Sequence, residues 1–319
     1  MHEAESNKIE LSIIILNYNG KNYLFKCLRS IYQFPPKVNF EIIVVDNNSN
    51  DGSQEMVRKN FPEVKLICNK ENLGFSRANN IGIKSSKGKF ILLLNNDTRV
   101  LTESINILLN KIKTHSNIGV VAPALLNEDF SYQLSYGLHP NFKNEFFQKF
   151  FMKLHFKSIL KRKRDNWEKE VDWVSGACFL TTKEILKSIN YFDENFFLYF
   201  DDSDLCARIR NLGKKIIYFP KAKIIHYLGK SREIVPLIHL LEYRKSQLYF
   251  YKKHNSTMKP LMIDFITLNP YEDEEDIIAS IKYVLELPKP FNLIVHVMNF
   301  FEGTPLKSDA LRKGLISKN

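Results

Sequence analysis

Cysteine is scarce in this 319-residue chain, and its spacing argues against two kinds of site. The four cysteines, Cys27, Cys68, Cys178 and Cys206, are widely scattered, with no CxxC or other close pair. Structural zinc sites and disulfide frameworks are typically built from cysteines at close, regular spacing. The sequence therefore predicts neither, and a reducing cytosol is the expected compartment.

Long apolar runs are also missing. No stretch of the sequence approaches the roughly 18 apolar residues that a membrane-spanning helix requires. Residues 1–10 are polar and contain acids, and the apolar run that follows, Leu11–Leu16, is too short and wrongly flanked for a signal peptide. We therefore expect a cytoplasmic protein.

The composition nevertheless supports a large folded core. Hydrophobic residues make up 44% of the chain and aromatic residues 13%, which suffices for one large domain or for a domain with an appendage. The net charge of +11 predicts an anionic partner, such as nucleotide phosphates, nucleic acid or acidic lipid headgroups. Charge does not choose among these, but no RNP-like, helix-turn-helix or zinc-finger pattern supports nucleic acid.

Apolar strands alternate with helical patterns along the first hundred residues. The predicted strands are Leu11–Leu16, Glu41–Val45, Val64–Cys68 and Phe90–Leu94. Such continuous apolar strands predict a parallel sheet that helices cover on both faces. Because ligands of these sheets bind beyond the carboxyl ends of the strands, we expect Asn17, Asp46 and Asn95–Asp97 to converge there.

Four motifs in these strand-end loops carry a resemblance to a known family. They are Leu16–Gly20, Val44–Ser53, Asn72–Asn80 and Leu94–Asp97, and three later segments agree with them: Ser175–Leu180, Phe192–Leu205 and Pro220–His226. Over about residues 9–254 the sequence resembles the family 2 glycosyltransferases, most of all their rhamnosyltransferase-like branch. The resemblance implies the GT-A fold, which is Rossmann-like with a mostly parallel central sheet, and an inverting transfer from a nucleotide sugar.

The resemblance also implies a divalent-cation site. Asp97 corresponds to the last acid of the family's DxD motif, whose first position is Asn95 here, and His226 stands where the family can place a metal or diphosphate contact. Mg²⁺ usually takes one or two carboxylates plus substrate phosphates, so a single aspartate is compatible with Mg²⁺ or Mn²⁺. The alternatives are an Asn/Asp turn after a strand for Asp97 and an ordinary hydrogen-bonded histidine for His226.

Nucleotide-sugar contacts are expected from residues near the strand ends. By resemblance, Asp46 receives the nucleobase, and the neighbouring positions are Asn17, Asn48, Asn95 and Asn96. Arg77 could face the phosphates from the start of a helix. The alternatives are an ordinary turn and helix cap over residues 46–53 and a solvated surface arginine at position 77.

The acceptor hydroxyl must lose a proton as it attacks the anomeric carbon, and a carboxylate is the simple general base. We predict Asp202 for this role. The family has Glu-Asp here, so Asp201 is shorter by one methylene. Plain capping of the helix that follows is the alternative. Trp173, Ser175 and Gly176 are predicted to form the acceptor-side loop, in which small residues let substrate approach the backbone.

Two segments lie outside these motifs. Aromatic and basic residues interleave from Phe146 to Arg164, a composition that suits either peripheral docking on the anionic inner face of the plasma membrane or ordinary core packing. Residues from about 259 to 310 resemble a late strand-helix-strand segment of radical-SAM enzymes. The cluster-binding CxxxCxxC is absent, so no iron-sulfur cluster is predicted. An ordinary C-terminal extension is the alternative.

These observations predict two domains, a catalytic domain over residues 1–258 and a C-terminal fragment over 259–319. The predicted function is an inverting glycosyltransferase of cell-surface polysaccharide synthesis that acts on a glycan or lipid-linked acceptor, and the resemblance to rhamnosyltransferases suggests dTDP-rhamnose as its donor. Two other classes compete with it. One is a catalytically inactive module that binds nucleotide sugar or glycan, which Asn95 favours, and the other is a nucleic-acid-binding protein.

Overall fold

The computed structural model describes residues 8–138, 167–227, 236–254, 261–267 and 291–297. The chain divides into two compact units, Met1–Ser246 and Gln247–Asn319. The aromatic and basic segment from Phe146 to Arg164 lies outside the described residues, so its predicted docking on a membrane stays a prediction. The predicted domain boundary at residue 258 also stays a prediction.

The first unit begins with the predicted alternation of strands and helices. Its first five strands are β1 (Leu11–Asn17), β2 (Phe40–Asp46), β3 (Lys65–Cys68), β4 (Phe90–Asn95) and β5 (Thr98–Val100). The helices between and after them are α1 (Lys21–Gln33), α2 (Ser53–Asn60), α3 (Gly74–Ser85) and α4 (Ser104–Thr114). The four predicted strands are all present.

Six more strands and two helices follow in the described residues between 118 and 227. The strands are β6 (Ile118–Leu126), β7 (Tyr136–Gly137), β8 (Lys169–Val171), β9 (Trp173–Val174), β10 (Cys178–Thr182) and β11 (Lys215–His226). The helices are α5 (Lys183–Ser188) and α6 (Asp201–Asn211), and α7 (Pro236–His254) follows and runs across the boundary between the units. None of the described helices is both long and apolar enough to cross a membrane.

Nine strands form one mixed sheet in the order β3-β2-β1-β4-β10-β6-β11-β5, with β8 also on β11. β1 to β4 are parallel to one another, and so are β6 and β11, whereas β10 runs antiparallel between β4 and β6. The predicted GT-A architecture is therefore confirmed. β11 shifts its register between Tyr218 and Lys223, a stretch that contains Pro220.

Two apolar clusters cover the two faces of the sheet. Successive β1 residues alternate between them because neighbouring side chains of a strand point to opposite faces. Ile13 and Ile15 pack with residues of α1, α2 and α4, whereas Ile14 packs with residues of α3 and α6. Helices on both faces explain why residues 13–16 of β1 are all apolar instead of alternating with polar residues.

In the second unit two strands are described, β12 (Leu261–Thr267) and β13 (Phe291–Val297), and they pair in parallel. The predicted strand-helix-strand arrangement stays a prediction. The predicted helix lies outside the described residues.

Candidate active site

The predicted site residues of the first half lie at one edge of the sheet. The register pairs Asn17 of β1 with Asp46 of β2 and places Leu16 opposite Asn95 of β4. The carboxyl ends of these parallel strands are therefore level with one another. This is the position that the alternation of strands and helices predicted for a ligand site.

Asn17 is fully buried and connects three neighbouring loops. Its Nδ2 donates to Asp46 Oδ2 at 2.9 Å and to Ser49 Oγ at 3.1 Å. Its Oδ1 accepts from Asn96 Nδ2 at 2.7 Å. We call Asn17, Asp46, Ser49 and Asn96 the Asn17 cluster. The structure thus brings three of the predicted nucleotide-sugar residues into one hydrogen-bonded group.

Gly20 makes room for this cluster. A Cβ at this position would lie 2.1 Å from Asn96 Nδ2 and 3.0 Å from Asn17 Oδ1. Both distances are shorter than van der Waals contact allows, so a larger residue would push Asn96 away from Asn17. The glycine of the Asn-Tyr-Asn-Gly motif is therefore required by the close approach of the β4 loop.

Asp46 has no exposed surface, and both of its oxygens accept hydrogen bonds from the protein. Oδ2 accepts from Asn17, while Oδ1 accepts from the Ser49 amide at 2.9 Å and from Gln54 Nε2 at 2.8 Å. In this conformation the carboxylate orders the loop between β2 and α2. For Asp46 to accept a hydrogen bond from a nucleobase, the nucleobase N–H would have to replace one of these donors. This contact stays a prediction.

Asn47 holds a second loop and was not singled out from the sequence. Its Nδ2 donates to Asn72 Oδ1 at 2.7 Å, and its Oδ1 accepts from Asn69 Nδ2 at 2.9 Å and from the Leu73 amide at 3.1 Å. The side chain is 2% exposed. Asn47 lies inside the motif Val44–Ser53, which could have indicated a role for it. Its partners could not be predicted, because they lie more than twenty residues away in sequence.

Two predicted nucleotide-sugar residues lie on the surface. Asn48 is exposed and has a left-handed backbone, with φ of 68°. Arg77 is about half exposed and pairs with Glu194 at 3.5 Å. The first amides of α3 already donate within the protein, Gly74 to Asn72 Oδ1 and Phe75 to the Phe197 carbonyl. The start of α3 therefore favours the alternative of a solvated surface arginine over a phosphate site.

Asp97 and His226 come together although they are far apart in sequence. β5 pairs with β11 so that Thr98 lies opposite His226, and the distance from His226 Nε2 to Asp97 Oδ1 is 3.3 Å. The Tyr227 amide donates to the Asp97 carbonyl at 2.9 Å, which closes the loop around the pair. The two predicted metal ligands are therefore neighbours, with both side chains mostly buried.

Gln133 fixes how His226 faces Asp97. Its Oε1 lies 3.0 Å from His226 Nδ1, while its Nε2 donates to the His226 carbonyl at 2.6 Å and to Asn127 Oδ1 at 2.8 Å. Because the amide nitrogen of Gln133 is already donating, its amide oxygen accepts from the Nδ1–H of His226. The Nε2 of His226 is then directed at Asp97. Metal-binding histidines are typically oriented in this way. Gln133 was missed in the sequence because no motif marks it.

The Asp97–His226 pair fits a divalent cation. Neutral imidazole and carboxylate are both suitable ligands, and an oxygen and a nitrogen about 3 Å apart can bind one ion side by side. A cavity of about 290 Å³ is lined by His226, Tyr227 and residues 127–129. Among the described residues no group of three or more His, Cys, Asp or Glu side chains is placed to hold a metal. The remaining ligands would therefore have to be water and substrate.

Asp201 and Asp202 differ in exposure although they are adjacent. Asp201 is 6% exposed, whereas Asp202 is partly exposed and its Oδ2 accepts from the Gly176 amide at 3.0 Å. Burial raises the pKa of Asp201 well above its usual range, and the charge of Asp202 raises it further. Burial also raises the pKa of Asp202, against the lowering effect of the Gly176 and Ser203 amides. Asp202 is thus an accessible carboxylate that is more basic than an ordinary aspartate.

The turn Ser175–Ala177 contacts both Asn95, at the end of β4, and Asp202, at the start of α6. The Asn95 amide donates to the Ala177 carbonyl at 2.9 Å, and the Gly176 amide donates to Asp202. A Cβ on Gly176 would lie 3.6 Å from Asp202 Cβ, which is an ordinary van der Waals distance, so the approach of α6 does not itself require a glycine. Residues about a hundred positions apart in sequence therefore meet at one sheet edge.

The acceptor-side residues Trp173 and Ser175 flank this turn. Trp173 Nε1 donates to the Leu138 carbonyl at 3.0 Å, and the Ser175 amide donates to the Ser135 carbonyl at 2.8 Å. Both side chains are partly exposed. Ser175 immediately precedes Gly176, whose amide donates to Asp202, while the role of Ser175 and Trp173 toward an acceptor stays a prediction.

Comparison with known proteins agrees with this geometry. The model of Glycosyl transferase family 2 matches residues 12–189, more than half of the chain. The sheet with polar residues at its carboxyl edge and a carboxylate at the start of α6 defines a glycosyltransferase of GT-A architecture. The chain belongs to glycosyl transferase family 2.

Two curated relatives are similar over most of their length. One is the N-acetylglucosaminyl-diphospho-decaprenol L-rhamnosyltransferase of Mycobacterium tuberculosis, 24% identical over 262 residues that cover 77% of this chain and 85% of the relative. The other is the dTDP-rhamnosyl transferase RfbF of Shigella flexneri, 26% identical over 219 residues, 68% of each chain.

A solved structure shares the fold. The mannosyltransferase PcManGT from Pyrobaculum calidifontis, solved with GDP-Man and Mn²⁺, superposes with a TM-score of 0.56 at 16% identity. The match covers 79% of this chain and 66% of that chain. At this identity the similarity supports the fold, and not the ligands, of the present chain.

Proposed function

We propose that this glycosyltransferase moves a sugar, with inversion, from a nucleotide diphosphate sugar to a hydroxyl of a lipid-linked glycan acceptor. The observation that carries the proposal is the turn Ser175–Ala177, which contacts Asp202 on one side and, on the other, Asn95, two residues before the Asp97 that pairs with His226. A charge-stabilising pair and a carboxylate base are the two functions that such a transfer requires.

Asp97 and His226 would hold a divalent cation, Mg²⁺ or Mn²⁺. When bound, the cation neutralises the negative charge that grows on the departing nucleoside diphosphate. The contribution of this chain is to keep the two ligands in place, through Gln133 on His226 and the Tyr227 amide on the Asp97 carbonyl. The Asn17 cluster lies beside them and is the proposed site of the nucleotide, together with Asn48 and Asn95.

Asp202 acts as the general base. As the acceptor oxygen bonds to the anomeric carbon and the bond to the diphosphate oxygen breaks, the hydroxyl proton passes to the Asp202 carboxylate. Its raised pKa strengthens it as a base, and the Gly176 amide holds it in position. Trp173 and Ser175 are placed to contact the acceptor.

The proposed donor is dTDP-rhamnose and the proposed acceptor is a sugar linked to a polyprenyl diphosphate. The names of the two curated relatives support these choices. The net charge of +11 fits two anionic substrates and an anionic membrane surface. We accordingly propose a cytoplasmic enzyme of cell-surface polysaccharide synthesis, bound peripherally to the inner face of the plasma membrane.

Thermal unfolding with a panel of nucleoside diphosphates and nucleotide sugars, with and without Mn²⁺, tests the donor. Binding to the folded state raises the melting temperature by mass action, so dTDP and dTDP-rhamnose should give the largest shifts and should need the metal. Asp97→Ala should remove the metal dependence. An equal response to all nucleotides, or one that ignores the metal in the wild type, would contradict the proposed site.

Turnover tests the chemistry. With dTDP-rhamnose and a short-chain N-acetylglucosaminyl-diphospho-polyprenol, Asp202→Asn should lower kcat by about 10²–10⁴-fold, the usual contribution of a general base. Binding of dTDP by this variant should stay normal. Wild-type protein that binds donor and acceptor without turnover would instead support an inactive binding module, which Asn95 in place of an acid favours.

Co-sedimentation with liposomes tests the membrane contact. The full chain should pellet with vesicles that contain anionic lipid at low salt and should be released as salt rises, because the attraction to headgroups is electrostatic. Absence of pelleting at low salt would exclude the proposed docking.

A further inference from the structure

The turn that leads into α6 holds two consecutive aromatic residues in left-handed backbone. The φ angle is 70° at Tyr199 and 58° at Phe200. Bulky residues rarely adopt this conformation, and it persists where the surrounding structure holds it. Asp201 and Asp202 follow directly as the first residues of α6. The conformation of this turn therefore determines where the Asp202 carboxylate lies.

One side of the turn is fixed to the start of α3. The Phe75 amide donates to the Phe197 carbonyl at 2.7 Å. Gly74 permits this approach, because a Cβ on it would lie 2.6 Å from the Phe197 carbonyl oxygen. This contact anchors residue 197 but leaves the two left-handed residues to be held by something else.

The other side of the turn packs on the first half of α7. The ring of Tyr243 lies 5.6 Å from that of Tyr199 at 65° and 5.2 Å from that of Phe200 at 60°, measured between centroids. These are favourable edge-to-face arrangements. Ser246, 3% exposed, donates from Oγ to the Leu198 carbonyl at 2.7 Å. Helix α7 thus contacts all three residues that precede Asp201.

We propose that Tyr243 is a positioning residue for glycosyl transfer, which holds Tyr199 and Phe200 in left-handed conformation and so keeps Asp202 at the Gly176 amide. The inference rests on the proposed role of Asp202 as the base. Residue 243 lies beyond the part of the chain that matches the family, residues 12–189. A helix outside that match therefore completes the active site of this chain.

Hydrogen–deuterium exchange of the Gly176 amide tests the proposal without turnover. This amide donates to Asp202, so its protection reports where the carboxylate is. In the full chain, Tyr243→Leu should speed its exchange about tenfold or more, toward the rate in Asp202→Ala. Tyr243→Phe keeps the ring and should keep the protection. Peptides from β1 and β4 should exchange as in the wild type in every variant.

Kinetics give the second measurement. With dTDP-rhamnose and the N-acetylglucosaminyl-diphospho-polyprenol, Tyr243→Leu should lower kcat about tenfold or more, since small displacements of a catalytic group are costly. The dissociation constant for dTDP should change less than twofold. Ser246→Ala should show the same pattern more weakly. Lys245→Ala, on an exposed position of the same helix, is the matched control and should behave as wild type.

The outcomes separate this proposal from the assignment of the base. Unchanged Gly176 protection in Tyr243→Leu overturns the positioning role, even if Asp202→Asn is inactive. An equal loss in Tyr243→Phe and Tyr243→Leu also overturns it, because the ring would then not be the cause. Full turnover by Asp202→Asn overturns the proposed base and the catalytic part of this inference, whatever the exchange shows.

Discussion

Removing the Asn17 amide should destabilise the protein by an amount that follows from its contacts. In Asn17→Ala, Asp46 Oδ2 loses its donor while the carboxylate stays fully buried. A hydrogen bond to a charged group contributes about 1.5–3 kcal/mol. The lost bond to Ser49 Oγ adds about 0.5–1 kcal/mol, whereas the partly exposed Asn96 can bond to water. We expect a loss of about 2–4 kcal/mol.

Urea unfolding followed by tryptophan fluorescence and circular dichroism measures this loss. Asn22→Ala is the matched control, because Asn22 is an exposed residue of α1, and it should change stability by less than about 0.5 kcal/mol. Asn17→Asp should be worse than Asn17→Ala at pH 7, because it places a second carboxylate against Asp46. Its deficit should shrink in acid, as one of the two takes up a proton. A loss below about 1 kcal/mol in Asn17→Ala would refute the reasoning.

Three further predictions concern the proposed metal ligands and Asp201. Gln133→Leu frees the His226 ring and should weaken Mn²⁺ binding about 10–100-fold in a calorimetric titration. Because burial and Asp202 raise the pKa of Asp201, its contribution to stability is lost as pH rises through that pKa. Asp201→Asn should therefore raise the free energy of unfolding at pH 7 and leave it unchanged below about pH 3, as thermal scans across pH would show. Asn95→Asp should tighten Mn²⁺ binding, whereas Asn96→Asp should destabilise the Asn17 cluster instead.

The sheet edge could be predicted because its determinants are local. β1, β2 and β4 are mainly apolar runs that end in Asn or Asp, and parallel strands bring such ends together. The convergence of Asn17, Asp46 and Asn95 follows from this pattern and from the register that packing imposes. The register shift of β11 also has a local signal in the sequence, Pro220.

What could not be predicted depends on contacts between distant residues. β10 runs antiparallel between β4 and β6, yet its apolar sequence resembles that of the parallel strands. Gln133 orients His226 across 93 positions of sequence, and no motif surrounds it. The burial of Asp46 was likewise hidden, because a turn sequence gives no indication of how many donors will face its first carboxylate.

Strand pairing holds the nucleotide half of the proposed site, whereas side-chain packing holds the acceptor half. The two halves should therefore respond to different substitutions. The Asn17 cluster rests on the ends of paired strands, where register alone fixes the distances. Asp202 follows a turn whose left-handed backbone depends on side-chain packing. Strain of about 1–3 kcal/mol per residue must be offset by that packing. Substitutions of Tyr243 and Ser246 in α7 should therefore change the acceptor-side chemistry while leaving nucleotide binding intact, and substitutions of Gly20 should do the reverse.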